Sequence, residues 1–208
     1  MSVSLSPAEI AATYAIGASA ATVALVIALH VLEPEFAPSW RMPSEYSLGR
    51  FGLLMRLAFF ATGTALIALA YSLWWLTGTI AVWALAVTAI GPLGAVLVDT
   101  DPITTPRAQF STRSNVHAAL GSIFILGFPL AATIAGFTVA GDPAIGPILV
   151  AASVAPWLGL VWFMTATLRA PRRADGSGGP EVRIGWPIRF SMLAYLGWIA
   201  LAAGTVLL

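Results

Sequence analysis

Six apolar runs of about twenty residues each occupy most of this chain, at about 10–31, 51–71, 79–98, 116–139, 145–168 and 187–207. About twenty residues, at roughly 1.5 Å of helical rise each, cross the roughly 30 Å hydrocarbon core of a bilayer. In lipid, such a run satisfies its backbone N–H and C=O groups internally as a helix. Charged residues make up 9% of the 208, against about a quarter in a typical soluble domain, so the chain lacks the polar surface to meet water all round. The predicted architecture is an all-α integral membrane protein, a six-transmembrane-helix bundle forming one domain over residues 1–208. Pro129 and Pro156, deep inside runs four and five, predict helix bends. Gly17, Ala21 and either Ala24 or Ala28 predict a face on run one for a close helix neighbour.

The connections alternate between long and short. The stretches after runs one, three and five are polar, and all ten basic residues, every one an arginine, fall in or near them. Two short turns and both termini carry none. The positive-inside rule then predicts cytoplasmic long connections and extracytoplasmic termini. The opening MSVSLSPAE has no basic region, so run one reads as a retained helix and not a signal peptide. Residues 169–186, with RAPRRADGSGGP at their start, read as a flexible basic linker. The absence of cysteine excludes disulfides, thiolate chemistry and iron–sulfur ligation, and a net charge of +1 with arginines at membrane edges implies no nucleic-acid partner.

If the three long connections share one membrane side, their polar residues become neighbours. His30, Glu33, Asp99 and His117 are candidate ligands for a divalent metal such as zinc, and His30, Asp99 and His117 are candidates for catalysis. His30 and Glu33, three apart, share a helix face if the helix continues to Pro34. Against this, neither HExxH nor HxxxH spacing occurs, and a histidine at a helix end is often only an interfacial hydrogen-bonding group. No cofactor is firmly implied. Arg56 lies about five residues into run two, where it either snorkels to the interface or turns inward to pair with Glu45, Asp99 or Asp101. Asp101 is also placed to meet Arg107 or Arg113. Glu45, Tyr46, Arg50, Arg56, Asp101, Arg113 and Asn115 are candidate ligand-binding residues. No GxSxG, phosphate loop or redox motif occurs.

At several of these positions the chain resembles the DUF998 family, six-span prokaryotic membrane proteins of unknown function. The resemblance rests on His30 with its acidic, proline-containing loop, SEYSLGRFGLLMRLAF from Ser44 to Phe60, and GPLGAVLVDTDP from Gly91 to Pro102. It extends to Asn115–Val116–His117 and to Gly185–Arg189 before the last run. It implies a six-span fold in a prokaryotic cytoplasmic membrane. It also singles out Ser44 and Arg189, the latter as a further binding candidate, together with His30, Glu45, Tyr46, Arg56, Asp99, Asp101 and His117. The family has no established reaction.

Three functions compete. One is binding of a lipid headgroup or small amphiphile at the arginine-side polar cluster. Another is a metal-dependent hydrolase acting on lipid. The third is a small transporter, or a subunit of a membrane complex. Membrane lipids are the expected partners, with a homo-oligomer or a larger membrane complex as the alternative assemblies.

Overall fold

The computed structural model describes residues 5–208. Its helices are α1 (Pro7–Leu32), α2 (Gly52–Ser72), α3 (Trp74–Ala95), α4 (Thr112–Thr138), α5 (Gly146–Ala152), α6 (Val154–Arg169) and α7 (Gly185–Gly204), and no strand occurs among the described residues. Six spans are long and apolar enough to cross a membrane, with α5 and α6 forming one of them together. By length and composition the chain is a multi-pass membrane protein.

Local chemistry sets the ends. Ser6 caps α1 in a capping box with Glu9, which starts the helix ahead of its apolar run. Between α2 and α3 only Leu73 intervenes, and the chain then kinks at Gly78, whose φ of +71° suits a residue without Cβ. The bend expected in run five falls at Ser153, three residues before Pro156. Pro129 leaves α4 unbroken. Having no N–H, it cannot pay its hydrogen bond to the Ile125 carbonyl four residues back, and the Tyr195 hydroxyl donates there instead at 2.8 Å.

α1 lies along α2 and α7, α2 along α3, α3 along α4, and α6 along α7. Lipid removes the hydrophobic drive between helices, so packing favours small residues inside and large ones outside. Ala12, Ala15, Ala65, Ala131, Ala135 and Ala202 are buried, while Leu53, Trp75, Ile80 and Leu168 are exposed. At Gly91 an added Cβ would sit 2.6 Å from the Leu120 carbonyl, a measure of how closely α3 approaches α4. The packed face of α1 differs from the expected one. Gly17 has no neighbour within 4 Å, and Ala12, Ala15, Ser19 and Thr22 point inward instead. The large core side chains concentrate in the half of the bundle nearer the termini, where Phe128 stacks on Tyr195 at 4.7 Å and meets Trp198 edge-on at 5.8 Å.

The stretch 169–186, expected to be flexible, is docked. Gly178 N–H donates to the Ile103 carbonyl at 2.8 Å, and Arg107 N–H to the Asp175 carbonyl at 3.0 Å. The Ser177 hydroxyl and N–H bond the Asp175 side chain and hold its carboxyl below the ordinary aspartate value. Val182 and Ile184 pack with Ile103, Phe163 and Ile188. Composition alone hides these apolar anchors, because Ile103, Phe163 and Ile188 come from outside the stretch.

Candidate functional site

At the arginine-bearing end, the connections interlock through a few buried polar side chains. The first centre is Arg189, one turn into α7 and 5% exposed. Its Nε–H donates to His30 Nε2 at 2.8 Å; Nη1 reaches the carbonyls of Arg41 (2.8 Å), Gly185 (3.0 Å) and Pro38 (3.1 Å). Nη2 lies 3.4 Å from the Tyr46 hydroxyl. All five acceptors are neutral. A guanidinium suits this place because its planar fork addresses several acceptors at once.

The second centre is Glu45, 1% exposed, on a short 3-10 helix over Pro43–Leu48. It accepts from Arg41 Nη1 at 2.7 Å, Met42 N–H at 2.7 Å and Ile103 N–H at 2.8 Å, fastening the first long connection to the second. Glu33 fastens the end of α1 to the start of α2. Its Oε1 accepts from Phe51 N–H at 2.6 Å, where the positive end of α2 favours a carboxylate. Gly49 leaves the space for it: a Cβ there would run into the Glu33 carboxylate.

The third centre gathers around the end of α3, which stops three residues before the expected Val98. Its last carbonyls turn to neighbouring helices. Arg56 Nη1 donates to the Val96 carbonyl at 2.7 Å, His117 Nδ1 to that of Val98 at 2.6 Å. Of the three partners open to Arg56, the structure selects Asp99, at 2.5 Å. Asp101 pairs with neither Arg107 nor Arg113. It instead accepts from the N–H (2.6 Å) and hydroxyl (3.2 Å) of Ser111, the N-cap of α4. Arg50, Arg113 and Asn115 are exposed, with Arg50 lying over the Phe51 ring at 5.4 Å.

The four candidate metal ligands do not form one set. Both ring nitrogens of His30 are engaged, Nδ1 by the Val26 carbonyl at 2.5 Å and Nε2 by Arg189. Glu33 faces α2, Asp99 faces Arg56, and His117 belongs to a different centre from His30. Among the described residues, no group of three or more His, Cys, Asp or Glu could hold a metal ion.

Beside the third centre lies a cavity of about 290 Å³ between α2, α3, α4, α6 and α7. Phe59, Phe124, Phe163, Ile188 and Met192 line its apolar part, and His117, Ser44 and Thr100 its polar part. From His117 to Ile125 it follows α4 for eight residues, roughly 12 Å at 1.5 Å per residue, comparable to one leaflet of hydrocarbon. Gly121 also lines it and has nothing within 4 Å of an added Cβ. Of the sequence candidates for catalysis, metal or ligand binding, His117 alone is among the lining residues. Thr100 carried no sequence signal. Ser44 stood out through the family resemblance alone.

A family model described as a protein of unknown function, DUF998, matches residues 16–205. No curated protein and no solved structure matches the chain.

Proposed function

The chain belongs to the DUF998 family, and from that premise we propose that it binds an amphiphile drawn from the bilayer. The apolar part of the ligand lies in the cavity, and its polar end meets His117, Ser44 and Thr100. The carrying observation is the cavity itself. It is apolar along one leaflet's depth and polar at the end where the loops converge, the two-part lining that an amphiphile requires. The aromatic packing of Phe128, Tyr195 and Trp198 fills the other half of the bundle, which favours a binding pocket over a traversing path. The arginine-bearing end is assigned to the cytoplasmic side, on the charge bias of the connections.

Native mass spectrometry after mild detergent extraction tests the reading. Wild-type protein retains a bilayer amphiphile, and Gly121→Leu, which places a side chain in the cavity, loses it while folding normally. Equal retention by the two proteins, or none by either, refutes the proposal.

A further inference from the structure

Resting on that reading, the lining also indicates the headgroup. We infer that the cavity selects a neutral, hydroxyl-bearing single-chain amphiphile, of the class of long-chain alcohols and monoacylglycerols, over a phosphate or carboxylate lipid. Its polar lining contains no arginine and no carboxylate. Among the neighbouring arginines, Arg56 is committed to Asp99 and Val96, Arg41 to Glu45, and Arg189 to its neutral acceptors, while Arg113, one turn before His117, is exposed and outside the lining. An anionic headgroup held within the lining would therefore give up its hydration without meeting a cation there.

A hydroxyl fits what remains. His117 Nδ1 faces the Val98 carbonyl, which can only accept, so Nδ1 carries the proton. In the neutral ring Nε2 then offers a lone pair, and it takes no hydrogen bond from the described residues. The Ser44 hydroxyl makes no hydrogen bond with the described residues, because only its backbone carbonyl is engaged, by Ser47. Thr100 spends its proton on the Asp101 carbonyl and keeps its acceptor sites. One ligand O–H can donate to His117 while its oxygen accepts from Ser44. The polar mouth thus offers an acceptor to the alcohol's donor and a donor to its acceptor. Thr62 and Ser122, deeper in the lining, are bonded to carbonyls of their own helices and do not compete.

The test uses the full chain in phosphatidylcholine nanodiscs with diazirine-bearing analogues of hexadecanol, palmitate and palmitoyl-lysophosphatidate at equal concentration. Photolabelling is mapped by peptide mass spectrometry. The alcohol is expected to label lining residues about tenfold more than either anion, the scale of one well-made hydrogen bond set against an unpaired charge. His117→Phe, which keeps a flat ring beside Phe59, and Ser44→Ala should each reduce alcohol labelling several-fold, with folding checked by near-ultraviolet circular dichroism. If an anion labels the lining as strongly as the alcohol and Gly121→Leu still abolishes that labelling, the headgroup inference falls and the cavity reading stands. If Gly121→Leu leaves the labelling of every probe unchanged, the cavity reading falls and takes the headgroup inference with it.

Discussion

Replacing Arg189 by methionine removes the guanidinium while keeping an unbranched side chain of similar reach. Outside α7, the change orphans His30 Nε2 and the carbonyls of Pro38 and Arg41. Each buried polar group left unpaired costs about 1–3 kcal/mol. The gross loss of roughly 3–9 kcal/mol is reduced because a charge no longer has to be kept out of water. A net destabilisation of about 3–5 kcal/mol follows. At roughly 2–4 °C per kcal/mol for a chain of this size, the midpoint should fall by about 6–20 °C. Tryptophan-fluorescence unfolding in a single detergent measures it, with Trp40 and Trp186 reporting from the same end of the bundle. Arg189→Lys is the control: it keeps the charge but cannot present a planar fork, so it should recover less than half of the loss. A midpoint shift under about 2 °C for the methionine variant, or a lysine variant equal to wild type, would refute the reasoning.

Further outcomes follow from the other centres. Gly49→Ala forces a Cβ against the Glu33 carboxylate and should cost about 1–3 kcal/mol, with much of it recovered in the Gly49→Ala/Glu33→Ala double variant; additive losses in thermal unfolding would contradict the contact. A double-mutant cycle of Arg56→Gln and Asp99→Asn should give a coupling of about 1 kcal/mol, modest because the two side chains are 30% and 27% exposed. No native cysteine interferes with topology mapping. Single cysteines at Ala108 and Ala174 should react with an impermeant maleimide only after the cytoplasmic face is opened, whereas one at Gly141 should react in intact cells; any other pattern overturns the orientation.

Local readings of the chain anticipated most of the helices, because a run of twenty apolar residues has few other stable states in lipid. The end of α3 moved where side chains intervened, with Arg56 and His117 taking the carbonyls that follow it. The identities of the key polar residues were also legible, since charge near an apolar segment is costly and stands out. Their partners were not. Arg56 had three plausible acids within reach of a bundle, and proximity through folding, not spacing, selected Asp99. Asp101 turned to Ser111 because the start of α4 presents unpaired N–H groups that compete with any arginine.

The linear string of side chains by itself therefore determined six runs long and apolar enough to cross a membrane, and that the arginines fall in or near alternate connections between them. Tertiary structure alone decided that Arg189 reaches across 159 positions to His30, that residues 169–186 dock, and that His117 lines a cavity with Ser44 and Thr100. Such pairings depend on the spacing and rotation of neighbouring helices, which small inward-facing residues set through close packing. No residue's own chemistry encodes that geometry.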